Sequence, residues 1–237
     1  MLVNSKLYLI PNTISTNDIN YVIPNFIKEK ILEIKFYIVE NIREARRYLK
    51  KLNKEINIED LTFYELNKHT KDEDISNFLS EAENGNNFGL ISDAGLPCIA
   101  DPGNVIVKIA HQKNIKVVPL SGPSSIFMAL MASGLNGQNF AFNGYIPIVQ
   151  NDKILKIKQL EQRSKKENQS QIFMDTPYRN NKLFSDLLTT LNSETNLCIA
   201  FDITGENEFI TTKKISEWKK QKINLDKKPC IFIIGSF

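Results

Sequence analysis

Short β-branched runs alternate with longer amphipathic segments along the first half of the chain, and this order constrains the fold more than any single motif. Strands are predicted at Lys6–Pro11, Lys35–Glu40, Phe88–Asp93 and Lys116–Leu120. The segments between them, VIPNFIKEKILEI, NIREARRYLKKL, TKDEDISNFLSEAENG and PGNVIVKIAHQKN, place apolar residues at helical spacing. Thr70 is read as an N-cap with Glu73 at the capping-box position, and Asn84-Gly85 as the stop. A β-α-β-α order of this kind gives an α/β layer with a largely parallel sheet.

Beyond about residue 120 the texture changes. GPSSIFMALMASGL reads as a helix of small and apolar residues, and FAFNGYIP and SQIFMDTP as strands around the charged helix DKILKIKQLEQRSKKE. A helix at RNNKLFSDLLTTLN, a strand at NLCIAFDIT, the pair EFITTKKISEW and a last strand at PCIFIIGSF complete a second α/β unit with more antiparallel character. The division is placed near Pro119, giving domains over 1–119 and 120–237.

Composition adds bounds. Of 237 residues, 42% are hydrophobic and 24% charged, the balance of an ordinary globular protein, and the net charge of +3 does not by itself argue for nucleic acid. Cys98, Cys198 and Cys230 are odd in number and widely spaced, which points to reduced thiols rather than disulfides or zinc. His69 and His111 lie far apart, so no metal cluster is expected. The N-terminal apolar run is too short for a signal peptide or a membrane span, so a soluble, cytoplasmic chain is expected.

Two loops carry chemistry. LISDAGLPCIADPGN leaves the Phe88–Asp93 strand at the end where open α/β sheets bind ligands. Its glycines permit close approach to the main chain, its prolines limit the entropy lost on ordering, and Asp93 and Asp101 offer acceptors to hydroxyls or amines. It lacks the spacing of a phosphate cradle, and its aspartates would repel phosphate. Alone it reads equally well as a tight turn with helix caps. PLSGPSSIFMALMASGL repeats the formula of strand, small-residue turn and helix, and two such loops in succession favour a binding cleft.

SDAGLPCIADPG, VVPLSGPSSIFMALMASGL, FAFNGYIP and MDTPYR, in this order over about residues 88 to 180, resemble the tetrapyrrole-methylase superfamily of S-adenosylmethionine-dependent methyltransferases. Within it the pattern is similar to the small-subunit ribosomal RNA cytidine 2′-O-ribose methyltransferase branch. The chain departs from that branch at the N-terminus, where IPNTISTND stands for a TPIGN-type turn and VENIREARR for an EDTR-like box, keeping Glu40 and Arg43.

The resemblance implies two α/β domains with a cofactor cleft between them, S-adenosylmethionine as cofactor, a homodimer, and ribosomal RNA or a ribosomal subunit as partner. It implies cofactor contacts at Pro11, Asp93, Gly95, Leu96, Pro97, Ser124, Ser125, Met174, Ala200 and Gly235, and no metal. Arg43, Tyr178 and Arg179 are substrate candidates, and Glu40, Asp93, Asp101 and Asp175 are candidates for a general base. Other acceptors remain open at this stage, a tetrapyrrole or corrinoid precursor or a protein, as does a cofactor-binding regulatory module without transfer activity.

Overall fold

Five short strands in the first half pair side by side and all in parallel. In the computed structural model, which describes residues 5–15 and 18–235, these are β1 (Lys6–Ile10), β2 (Phe36–Val39), β3 (Thr62–Glu65), β4 (Phe88–Ile91) and β5 (Lys116–Pro119). Their order in the sheet is β3-β2-β4-β1-β5. The central strands are buried on both faces, which is why LYLI, FYIV and FGLI read as continuous apolar runs rather than alternating ones.

Helices cover both faces. On one, α1 (Ile19–Val22), α2 (Asn25–Lys30) and α3 (Ile42–Leu52) pack Ile19, Ile27, Tyr48 and Leu49 onto Tyr8, Ile10, Tyr37 and Val39. On the other, α5 (Asn104–Gln112) and the segment around the short α4 (Asp72–Ile75) bring Ile106, Ala110, Phe78 and Leu79 against Leu7, Ile38, Phe88 and Leu90. Residues that alternate along each strand thus enter two separate cores.

Two local readings are corrected. The segment from Thr70 to Gly85 is no continuous helix: after α4 it runs through turns into a 3-10 segment, Ser80–Asn84. Thr70 caps nothing there, because its hydroxyl accepts from the Asn67 N–H at 2.9 Å and donates to the Glu65 carbonyl at 3.0 Å. Gly85 does end the segment, in the left-handed region at φ +82°. Strand β3 escaped the sequence reading because it is short, half-buried and at the sheet edge.

The chain divides into two compact units, Met1–Ser124 and Ser125–Phe237. The turn after Pro119 stays with the first: the Leu120 N–H donates to the Leu9 carbonyl at 3.0 Å, and Gly122 packs against the Pro11 ring.

The second unit holds α6 (Ser125–Ser133), β6 (Phe140–Tyr145), α7 (Gln150–Glu167), β7 (Ser170–Met174), α8 (Asn180–Thr190), β8 (Asn196–Phe201), β9 (Phe209–Lys214), α9 (Ile215–Trp218) and β10 (Cys230–Gly235). Its sheet order is β6-β7-β10-β8-β9, parallel only between β6 and β7. The helices α7 and α8 cover one face through Ile157, Leu160, Leu183 and Leu187 against Phe173, Ile199 and Phe232. Trp218 closes this core, its indole N–H donating to the Leu197 carbonyl at 2.8 Å. Among the described residues no helix is long and apolar enough to cross a membrane.

Candidate functional site

Strands β1 and β4 are neighbours, yet β1 continues to β2 beyond β4 while β4 continues to β5 beyond β1. The chain therefore leaves their carboxyl ends in opposite directions, which opens a crevice there, the place where open α/β sheets receive ligands.

Asn12 spans that point. It follows Pro11 at the end of β1 and is buried. Its amide nitrogen donates to the carbonyls of Ser92 and Asp93, both at 3.0 Å. Its amide oxygen accepts from the Thr13 N–H at 2.8 Å, and its own N–H donates to the Gly95 carbonyl at 2.8 Å. One residue thus fixes the loop after β1 to the loop after β4. Sequence reasoning passed over it; the available signal was an amide directly after the proline that ends a central strand. Thr16 and Asn17, in the turn that departs from the TPIGN pattern, lie outside the described residues.

The other candidate loop joins the same place. Gly95 has φ +68°, and a β-carbon there would meet Ile14 Cγ2 at 3.2 Å and the Pro123 carbonyl oxygen at 3.6 Å. Pro11 is gripped from two sides, by Gly122 against its ring and by the Tyr48 hydroxyl donating to its carbonyl. Gly95, Pro97 and Ser124 are buried, Leu96 and Ser125 half-buried. Pro11, Asp93, Gly95, Leu96, Pro97 and Ser124, expected from sequence to work together, are therefore gathered at one edge. Cys98 and Ala100 hold left-handed backbone at φ 70° and 65°, strain that the surrounding loop must sustain.

Three carboxylates stand at this edge. Glu40, at the end of β2, accepts from the Asp93 N–H at 3.0 Å. Burial pushes its carboxyl above the usual range, and the nearby charges of Asp93 and Asp101 add to that. Asp93 is raised by burial and then by Glu44 and Glu65, yet its side chain accepts no hydrogen bond among the described residues and it is exposed. Asp101 accepts from the Gly103 N–H at 2.6 Å; burial raises it while the amides of Gly103, Cys98 and Ile99 pull the other way. The Cys98 thiol is pushed up to about 12 by burial and by Asp101, which makes it no nucleophile. No group of ligating side chains suited to a metal ion occurs among the described residues.

In the second unit, Met174 and Ala200 lie in one row, each paired with Ile231 of β10. Gly235 is not part of that row: it sits four residues further along β10, about 13 Å away at 3.3 Å per residue, and Leu135 packs over it at 3.0 Å from a would-be β-carbon. Asp175 follows Met174 with its carboxylate fully buried. One of its oxygens accepts from the Thr176 N–H at 2.7 Å, from Arg179 Nε at 2.8 Å and from Arg179 Nη2. That geometry makes Asp175 the residue that orients Arg179, with its second oxygen buried and without a partner among the described residues. Tyr178 beside it is exposed. Arg43 is exposed on the first turn of α3, a helix capped by Asn41 accepting from the Glu44 N–H at 3.2 Å. Arg47 pairs with Glu44 at 2.7 Å. Asn143 serves the sheet, donating to Gln171 Oε1 at 3.1 Å.

Solved structures of similar shape set the class. The methyltransferase CobJ is 14% identical with a TM-score of 0.62, over 98% of this chain and 93% of that one. A cobalamin biosynthetic enzyme, cobalt precorrin-4 methyltransferase, is 11% identical with a TM-score of 0.60, over 97% and 94%. At such identities the likeness defines the fold, the two-domain α/β architecture of these methyltransferases. Sequence relatives are nearer. Ribosomal RNA small subunit methyltransferase I of Buchnera aphidicola subsp. Schizaphis graminum is 32% identical over 96% of this chain and 77% of its own length. That of Vibrio cholerae is 30% identical over 82% and 67%. The profile of the tetrapyrrole (corrin/porphyrin) methylases matches residues 34–219. The chain belongs to that family, and it is a methyltransferase.

Proposed function

We propose that the chain binds S-adenosylmethionine at the switch-point edge of its first unit and methylates RNA of the small ribosomal subunit. The observation that carries the reading is the Asn12 clamp, which ties the loop after β1 to the small-residue loop after β4 where an open sheet takes its ligand. The character of the edge fits the cofactor. Glu40, Asp93 and Asp101 set three carboxylates along the edge, and the charges of Asp93 and Asp101 add to the burial that raises Glu40, so the edge favours a cation, and the sulfonium and ammonium of S-adenosylmethionine are cationic. Relatives matched over 96% and 82% of this chain are named for ribosomal RNA, which supports that acceptor over a corrinoid precursor. A ribose 2′-hydroxyl is the acceptor group that the branch resemblance implies.

When bound, the cofactor supplies an electrophilic methyl group on sulfur. The chain's own task is alignment and exclusion of water. Backbone groups of Gly95, Leu96 and Pro97 line the approach, Ser124 and Ser125 add polar groups, and Asn12 keeps the loop of Gly95 in place against the loop after β1. Asp93 is the base we propose: it is exposed, its carboxylate is uncommitted, and its raised proton affinity suits it to take the acceptor hydroxyl's proton as the oxygen–carbon bond forms. Met174 and Ala200, Tyr178, and the Arg43 and Arg179 guanidiniums keep their assigned contacts on the resemblance. We also propose a cytoplasmic homodimer on the same ground.

Calorimetric titration with S-adenosylhomocysteine tests the cofactor reading: one site per chain is expected, and no heat overturns it. Asp93→Asn separates the roles of that residue. Retained titration with transfer lost supports the base, whereas lost titration makes Asp93 a cofactor contact.

A further inference from the structure

At the free edge of the first sheet, β3 ends in a cavity of about 540 Å³ that none of the groups above uses. Phe63 and Tyr64 of β3 and Phe78 are part of its lining; Tyr64 and Phe78 stack on each other at 5.2 Å between centroids, and Phe63 stacks on Tyr37 at 5.7 Å. Among these rings stand Glu65, Asn67, His69 and Asp74. Among the described residues no hydrogen bond engages the carboxylates of Glu65 and Asp74 or the imidazole of His69. The rim is nonetheless fixed. Thr70 ties the Asn67 N–H to the Glu65 carbonyl, and the Asn67 amide oxygen accepts from the His69 N–H at 2.9 Å, which leaves its NH₂ group available.

Exposed, unengaged acceptors beside an aromatic lining suit one kind of guest. A phosphate would be repelled by Glu65 and Asp74, and an aliphatic ligand would leave them unsatisfied. A nucleobase lays an apolar face against the apolar lining and, where it carries an amino group, offers N–H donors to carboxylates. Cations lie nearby for the attached backbone: the Arg46 guanidinium is 5.3 Å from the Phe63 ring centroid, and Lys68 and Lys71 are exposed. The volume falls in the range of small-molecule pockets. The cavity also neighbours the proposed site, since Asp93, raised chiefly by burial, feels the charge of Glu65 after that of Glu44.

We propose that this cavity holds an unstacked nucleobase bearing an exocyclic amino group, from a single-stranded stretch of the RNA acceptor. The proposal rests on the RNA reading above and names where that acceptor is gripped. Fluorescence anisotropy of labelled oligo(C), oligo(A) and oligo(U) hexamers with the full chain tests it. Oligo(C) and oligo(A) are expected to bind about tenfold more tightly than oligo(U). Glu65→Ala with Asp74→Ala removes that preference, while Lys68→Ala with Lys71→Ala weakens all three alike. S-adenosylhomocysteine titration of each variant stays at the wild-type value, which shows that the fold is kept. Equal binding of the three hexamers, no binding, or a preference that survives Glu65→Ala with Asp74→Ala overturns the proposal. If the hexamers behave as expected but no methyl group reaches ribosomal RNA, the acceptor reading fails and the cavity stands. If transfer occurs while the variants keep the wild-type KM for RNA, the cavity alone fails.

Discussion

Replacing Asn12 with alanine removes a side chain that bridges the switch point. The substitution takes away two donors, to the Ser92 and Asp93 carbonyls at 3.0 Å, and the acceptor for the Thr13 N–H at 2.8 Å. Ser92 is buried, so its carbonyl has no water to turn to, whereas exposed Asp93 can be rehydrated. A lost hydrogen bond costs about 1 kcal/mol and a buried orphaned group about 1–3 kcal/mol, so the sum is about 2–4 kcal/mol. The bond from the Asn12 N–H to Gly95 survives, because it belongs to the main chain. Urea denaturation measures the total, and hydrogen exchange over residues 92–103 shows where it falls. Cofactor affinity should drop by about tenfold or more, since 1.4 kcal/mol of loop ordering charged to binding is already tenfold. Asn12→Asp is expected to be at least as damaging as alanine, because it sets an acceptor, a carboxylate oxygen, against two carbonyl oxygens. An alanine variant within 0.5 kcal/mol of wild type, with unchanged exchange in this loop, would refute the clamp.

Other perturbations follow from the same geometry. Gly122→Ala drives a β-carbon into the Pro11 ring and should cost about 2 kcal/mol in denaturation; a neutral result would show that the two loops are not packed as described. Glu40→Gln keeps the acceptor for the Asp93 N–H but removes a carboxyl whose proton affinity is raised by burial and then by Asp93 and Asp101. A raised carboxyl binds its proton more tightly when folded, so wild-type stability falls as pH climbs from about 4.3, the unfolded value, through the folded one. The glutamine variant should flatten that decline and be the more stable protein at pH 7; a steeper decline contradicts the reasoning. In the second unit, Lys153→Met removes one partner of Asp186 at 3.2 Å while Lys182 at 2.9 Å and Gln150 at 3.0 Å remain, and should cost about 2 kcal/mol, with Asp186→Leu added in the same chain restoring part of it.

The sheets and both small-residue loops were legible because each is a local pattern: apolar runs fully buried in parallel strands, and glycine and proline at strand ends. The Phe88–Asp93 strand needed no partner to be recognised, whereas its loop took meaning only beside PLSGPSS. Asn12 was not legible, because its meaning lies in residues about 80 positions away that only the register of β1 on β4 brings to it. The helix read from Thr70 failed for a related reason, since the Thr70 hydroxyl is drawn back to Asn67 and Glu65 by the end of an edge strand that sequence did not reveal. Asp175 looked like a free carboxylate beside TPYR. The 3-10 turn Pro177–Arg179 folds the guanidinium back onto it, a consequence of local geometry that residue types alone do not announce. Gly235 was placed with Met174 and Ala200 by resemblance, and the antiparallel register sets it at the other end of the strand.

The central claim is that the first unit's clamped loops present a methyl donor to ribosomal RNA. Incubating the chain with methyl-tritiated S-adenosylmethionine and small ribosomal subunits from cells lacking the protein tests it most directly. Label in the RNA, greatly reduced with Asn12→Ala and lost with Asp93→Asn, is the predicted result. Label confined to protein or absent from the subunits, under conditions where the cofactor binds, would contradict it.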